Sequence, residues 1–253
     1  EVLHPTCARW MTATWTGNGD GLSWMDDDNW STGSFPDNNG TLFDAVIGSG
    51  FSVATDNTGV EIQSLSLGMG STLSIGDPEE SSGFDDFVLN ADSTNNGTIE
   101  LLKNDIRFES DALLDGDGVI ELGGMSSESD VELISTSGAD LTIGADQTVR
   151  TGGTKDSAII DDFGVLTNNG AFEAVGGRDL LFNEFGDNFD VVNNSLLRVR
   201  DNGRLEFSGV DVDQTGGGRI EIESGSIFWL TDPDNTITGG SIEGSGTFAT
   251  SNG

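Results

Sequence analysis

The 253-residue sequence is short of the residues that usually carry chemistry. It has one cysteine, Cys7, which excludes an internal disulfide framework and a zinc site built on cysteines. It has one histidine, His4, so a Ser-His-Asp arrangement and a multi-histidine metal centre have no material to be made from. Tyrosine is absent, proline occurs four times, and Lys103 and Lys155 are the only lysines. Ten basic residues against 44 acidic ones leave a formal charge of −34. That balance argues against nucleic-acid and anionic-lipid partners, whose binding depends on lysine and arginine. No apolar run is long enough to cross a membrane as a helix. No signal-peptide pattern opens the sequence, and Glu1 in place of methionine suggests a processed or partial chain.

What the sequence does have is glycine, 37 residues of it without a collagen period, interleaved with short alternating apolar segments. The last sixty residues show the grammar most plainly. Ser195-Leu196-Leu197-Arg198-Val199 is followed by Gly203-Arg204-Leu205-Glu206-Phe207, and Gly218-Arg219-Ile220-Glu221-Ile222 by Gly225-Ser226-Ile227-Phe228-Trp229. Gly240-Ser241-Ile242-Glu243 is followed by Gly246-Thr247-Phe248-Ala249. The first of these strands recurs upstream at Gly97-Thr98-Ile99-Glu100-Leu101, Gly118-Val119-Ile120-Glu121-Leu122 and Gly170-Ala171-Phe172-Glu173-Ala174. Its apolar anchors, Ile99, Ile120, Phe172, Leu197, Ile220 and Ile242, are separated by 21, 52, 25, 23 and 22 residues. The long step is about two periods with a degenerate unit inside it. Leu73-Ser74-Ile75, Ile106-Arg107-Phe108, Val131-Glu132-Leu133, Leu141-Thr142-Ile143 and Leu180-Leu181-Phe182 read as the second strand.

A unit this short cannot bury its own apolar face, and stacking on neighbours is the physical logic of a solenoid. The expected fold is therefore all-β, a β-solenoid preferred as a right-handed parallel β-helix, with each coil adding roughly 4.8 Å. Helix is expected to be nearly absent, since no segment holds a long 3.6-residue apolar period. Residues 1–58 differ in composition: Trp10, Trp15, Trp24 and Trp30 fall in the first thirty residues. A solenoid end exposes core and strand edges, so this segment is expected to be an N-terminal cap, with residues 59–253 forming repeats of roughly 21–26 residues. Carbohydrate stacking on the tryptophan rings is the sharper alternative.

The motifs Trp15-Thr16-Gly17-Asn18-Gly19-Asp20-Gly21, Asn29-Trp30-Ser31, Asp44-Ala45-Val46-Ile47, Ser64-Leu65-Ser66-Leu67-Gly68 and Asn95-Asn96-Gly97-Thr98-Ile99-Glu100 carry a resemblance. Together they resemble the β-helical repeat regions of large secreted bacterial surface proteins, autotransporter-like passengers and planctomycete-type cell-surface proteins among them. The resemblance covers nearly the whole chain and implies an extracellular or cell-surface location. It says little about activity, because such repeats host many roles.

Enzymatic candidates are thin. Asp161-Asp162 and Asp85-Asp86 could in principle serve as paired carboxylates, and Lys155 with Arg150 near Asp156 and Asp161 could serve a lyase. With 44 acidic residues such pairs arise readily, and no catalytic residues are assigned. The loops holding Asp20, Asp26, Asp28, Asp115 and Asp117, like Asp232-Pro233-Asp234-Asn235, supply hard oxygen ligands suited to calcium, though aspartate also simply belongs in turns. Asn29, Asn39, Asn96 and Asn193 match the glycosylation sequon. Asn95-Asn96, Asn168-Asn169 and Asn193-Asn194 recur ahead of the first strand and are expected to form hydrogen-bonded ladders.

The expected function is a non-enzymatic structural or adhesive protein, a subunit of a surface filament or fibre that self-associates head to tail. Gly246, Thr247, Phe248 and Ala249 at one end, with Trp15 and Trp24 at the other, are the expected assembly residues. Glycans are possible partners and membrane insertion is not expected. The alternative is a polysaccharide-binding or polysaccharide-cleaving β-helix.

Overall fold

The structure is a computed structural model that describes residues 9–56, 58–77, 86–123, 131–135, 138–153, 157–184 and 189–251. His4, Cys7, Asp85, Lys155 and Asp156 lie outside them.

Each coil contains three strands rather than two. Val165–Asn168, Ala171–Ala174 and Asp179–Asn183 make one coil, and each pairs in parallel with its equivalent in the next: Asp190–Asn193, Leu196–Val199 and Arg204–Ser208. Repetition gives three faces. The first and second merge into a 17-stranded sheet and the third is a 9-stranded sheet, counted among the described residues. All these named pairings are parallel. The one helical element among the described residues is a three-residue 3-10 turn, Asp27–Asn29. The chain is an all-β parallel solenoid.

Alternation explains why these segments become strands. In Thr98–Leu101, Val119–Leu122 and Thr148–Thr151 every second side chain is buried and its neighbours point outward. The anchors stand in one internal column: Ile99 pairs with Ile120, Ile120 with Val149, Val149 with Phe172, Phe172 with Leu197, Leu197 with Ile220 and Ile220 with Ile242. All but Ile242 are buried. Val149 fills the 52-residue step, so the degenerate unit is a full coil whose strand, Thr148–Thr151, follows Gln147 where most of the others follow a glycine.

A second column is aromatic. Phe182 stacks on Phe207 at 4.5 Å and 8°, Phe207 meets Phe228 at 5.4 Å, and Phe228 stacks on Phe248 at 5.6 Å and 10°. Offset stacking of this kind adds to the burial of each ring.

The glycine ahead of the second-face strand has a steric cause. A Cβ on Gly118 would sit 2.5 Å from the Gly97 carbonyl oxygen and 2.6 Å from that of Asn95, because the backbone of the preceding coil passes close at this corner. At Gly170 the Gly144 carbonyl stands equally close.

Three expectations change. Leu73-Ser74-Ile75 belongs to the anchor column, with Leu73 paired to Ile99, and Leu141–Ile143 lies on the first face between Ala112–Asp115 and Val165–Asn168. Isolated three-residue segments do not say which face they occupy; only register does. The ladder also begins before residue 59: Arg9–Thr14 pairs with Thr41–Ile47, which pairs with Ser64–Leu67, and Ser52–Ala54 pairs with Thr72–Ile75. The tryptophan-rich stretch is an insertion within the first coil's path. Its Trp15, Trp24 and Trp30 pack edge to face at 5.1 and 4.7 Å, and Trp24 reaches Phe87 of the third face at 5.4 Å.

Candidate functional site: a charged ladder and an exposed terminal rung

Stacking in register lines up outward residues as well as inward ones. On the second face Ser74, Glu100, Glu121, Arg150, Glu173, Arg198, Glu221 and Glu243 follow one another rung by rung. Like charges in adjacent rungs repel, and the arginines relieve this. Arg150 Nε donates to Glu121 Oε1 at 2.9 Å. Arg198 bridges two rungs, Nη1 to Glu173 Oε1 at 3.1 Å and Nη2 to Glu221 Oε2 at 2.8 Å. Arg200 adds a second bond to Glu173 at 3.0 Å, and Arg219 Nε one to Glu221 at 2.7 Å. The Arg198 bond holds the Glu221 carboxyl below the usual glutamate range, and Glu221 in turn raises the Arg198 guanidinium. Arg150 was not foreseen in this ladder, because its coil runs 29 residues, from Ile120 to Val149.

The ladder ends on two like-charged rungs, Glu221 and Glu243. With Glu223 they line a cleft of about 450 Å³ together with Ile222, Ser224, Gly244 and Ser245. The Ser241 hydroxyl donates to Glu243 Oε1 at 2.8 Å. The rung that carries Glu243 comprises Ile237–Gly244 and Thr247–Thr250, each last in its sheet among the described residues. Ile242 and Phe248, the ends of the anchor and aromatic columns, are both 44% exposed. Gly246 is the corner between the strands, and Thr247 and Ala249 flank Phe248.

At the other end Trp15 and Trp24 are buried, so neither offers a surface for assembly. The sequence marked them as large aromatics but could not distinguish a ring turned inward from one turned out. Trp10 is the exposed ring, on the first strand, and its indole N–H donates to Asp44.

Of the carboxylates expected to suit calcium, Asp20 and Asp26 accept N–H groups. Asp20 Oδ1 accepts from the Leu22 and Ser23 amides and from Asn29 Nδ2 at 2.8–2.9 Å, which lowers its pKa. Asp26 accepts from the amides of Asp20 and Asp28. Asp115 and Asp117 are exposed on either side of Gly116. Among the described residues no three His, Cys, Asp or Glu side chains come together as a group that could hold a metal ion. Six further aspartates join coils: Asp37, Asp92, Asp105, Asp111, Asp140 and Asp211 each accept an amide N–H from the following coil at 2.7–3.1 Å. Carboxylates at the corners satisfy donors that the ladder leaves over.

Two of the four sequons are closed off in this fold. Asn29 is buried, its Oδ1 accepting from the Gly19 and Gly21 amides while its Nδ2 donates to Asp20 and to the Ser23 carbonyl. Asn193 is buried in a side-chain ladder, Asn168 Nδ2 to Asn193 Oδ1 and Asn193 Nδ2 to Gln214 Oε1, both 2.8 Å. Asn39 is exposed and Asn96 half-buried. Asn95 stands outside that ladder and donates to the Val119 carbonyl instead.

On the third face Asp105 accepts the Glu132 amide at 2.8 Å, and burial with Glu132 nearby raises its pKa to about 7. Asp161 is 3% exposed, and burial followed by the charge of Asp162 raises it to about 6. Such groups can hold a proton near neutrality, but the Asp161 side chain is closed to a polymeric substrate. Arg107 pairs with Asp86, and Arg204 lies 5.2 Å over the Trp229 ring.

Comparison with protein-family models, with curated proteins and with solved structures returned no match to this chain.

Proposed function

We propose that the protein is a non-enzymatic structural element of an extracellular filament or fibre, joined to its neighbours by end-on stacking of β-rungs. The observation that carries the reading is the terminal rung. Ile242 and Phe248 continue two columns that are otherwise dry, yet both stand 44% exposed with strand edges beside them. Such an edge is a template for a further strand; a further coil of the same polypeptide or the end of another copy would each cover it, and the second, adding without closing a ring, builds a filament. The extracellular location rests on the resemblance to bacterial surface β-helices, and glycans at Asn39 and Asn96 belong to the same reading. Because each copy carries a formal −34, stacking between copies is expected to strengthen with ionic strength.

The test is light scattering and negative-stain microscopy of the purified chain as protein and salt concentrations rise. Linear oligomers that disappear in a Phe248→Glu, Ile242→Glu variant support the proposal. A chain that stays monomeric throughout and releases reducing ends from an acidic polysaccharide contradicts it.

A further inference from the structure

Six Asn-Gly pairs occur in the sequence, and five of them, beginning at Asn18, Asn39, Asn96, Asn169 and Asn202, lie in the described residues. Such a pair carries its own chemistry. The glycine nitrogen, once it gives up its proton, attacks the asparagine Cγ; a C–N bond forms and ammonia leaves. Water then opens the cyclic imide at either carbonyl, giving aspartate or isoaspartate, with no oxidant or reductant involved. Glycine permits the closure because it has no Cβ to crowd the ring. In a solenoid the isoaspartate product does harm twice. It adds a charge, and it lengthens the main chain by one atom at a corner, where the register of the next strand is set.

The reaction needs a free glycine N–H, and the fold engages these groups unequally. Gly19 N–H donates to Asn29 Oδ1 at 2.9 Å, Gly97 N–H to Asn95 Oδ1 at 3.0 Å and Gly170 N–H to Asn168 Oδ1 at 3.1 Å. Accepting an N–H two residues on is an ordinary turn contact for asparagine. What is particular here is that all three acceptors are buried and held at their other end. Asn29 Nδ2 donates to Asp20 and the Ser23 carbonyl, Asn95 Nδ2 to the Val119 carbonyl, and Asn168 Nδ2 to Asn193 and the Leu196 carbonyl. Gly203, itself buried, donates to the Arg200 carbonyl at 3.0 Å. Gly40 differs: its N–H donates to the Asn38 carbonyl two residues back, in a three-residue turn where Asn39 and Gly40 are both exposed.

We infer that the buried carboxamides of Asn29, Asn95 and Asn168 protect the Asn-Gly pairs whose glycines they hold from spontaneous imide formation, and that Asn39 is where the folded chain ages, converting to aspartate and isoaspartate. This is independent of end-on stacking. Conversion also removes the Asn39 carboxamide that a glycan would need, so the two modifications exclude each other.

The experiment is peptide mapping by mass spectrometry of the purified, unglycosylated chain held in mildly alkaline buffer, with the same chain in urea alongside. In urea the five pairs should convert at similar rates. In the folded chain Asn39 should outpace Asn18, Asn96, Asn169 and Asn202 by about tenfold or more, since each of those must first open a closed corner. Asn95→Ala should raise conversion at Asn96 by about tenfold and leave Asn169, three rungs away, as slow as before. Asn95→Asp keeps an acceptor oxygen for Gly97 and should keep Asn96 slow. Equal folded rates at Asn39 and Asn169, or an Asn96 that stays slow in Asn95→Ala, overturns the inference. If Asn95→Ala fails to fold, Asn96 and Asn169 speed up together, and the ranking of sites in the folded wild type decides alone.

Discussion

Replacing Asp105 by Asn should make the protein more stable above neutral pH and leave it unchanged in acid. Asp105 sits at a corner of the third face, where its carboxylate accepts the Glu132 amide at 2.8 Å. Burial is the largest influence on it, followed by the charge of Glu132. Asp86 adds to these, and the Glu132 amide and Arg107 oppose them. The balance raises its pKa from 3.8 to about 7. Between these values the unfolded chain has lost the proton and the folded one keeps it, so the folded state binds more protons and stability falls as pH rises. A displacement of about three units at about 1.4 kcal/mol each sets an upper limit near 4 kcal/mol, and relaxation of the corner reduces this to about 1–3 kcal/mol. Asparagine can still accept the Glu132 amide but carries no charge to desolvate. Urea unfolding of wild type and Asp105→Asn should therefore coincide near pH 4 and diverge up to about pH 8, with the variant more stable. Other raised carboxylates, Asp161, Asp190 and Glu206, titrate in both proteins and cancel in the difference. A difference that is flat with pH, or that favours the wild type above pH 7, would refute the reasoning.

Phe207→Ala removes a ring held between Phe182 and Phe228, and should cost about 3–5 kcal/mol in urea unfolding, with little collapse of the cavity. Arg198→Leu leaves Glu173, whose side chain is only 10% exposed, with Arg200 alone, and Glu221 with Arg219 alone; a loss of about 2 kcal/mol at low salt is expected, shrinking as salt rises. Asn29→Ala deletes four hydrogen bonds that fold the cap loop. Tryptophan fluorescence should shift to the red as Trp24 and Trp30 gain solvent, with about 2–4 kcal/mol lost. Gly118→Ala puts a methyl 2.5 Å from the Gly97 carbonyl, so the chain should express insolubly or melt well below wild type.

Much of the coil was readable from residues alone, because a repeating anchor followed by an outward charge has one physical explanation. Ile99, Ile120, Phe172, Leu197, Ile220 and Ile242 were each legible, and register brought them together. The first-face strand of most coils was not. Ser93–Asn95 has no apolar side chain and Asp190–Asn193 has two, and both end in the Asn pairs that read as loop. Their strand character comes from parallel pairing to neighbouring coils, a non-local property that propensity cannot supply. Arg150 was missed for a related reason: a long coil hid the period, while the charge alternation Glu121–Arg150–Glu173 that restores it becomes visible only once the rungs are stacked. The acidic loops show the limit from the other side. Aspartates at Asp20 and Asp26 look alike whether they hold a cation or accept amides, and the choice depends on where the backbone N–H groups point.

The most direct test of the account measures the ladder itself. With Cys7 replaced by serine, spin labels are placed at Glu243 and, in separate variants, at Glu121, Glu100 or Ser74, which stand five, six and seven rungs away. Pulsed electron resonance should then give backbone separations of roughly 24, 29 and 34 Å, one strand spacing per step. Separations that fail to grow by that increment, or that fall in another order, would contradict the stacked-rung structure and the end-on function built on it.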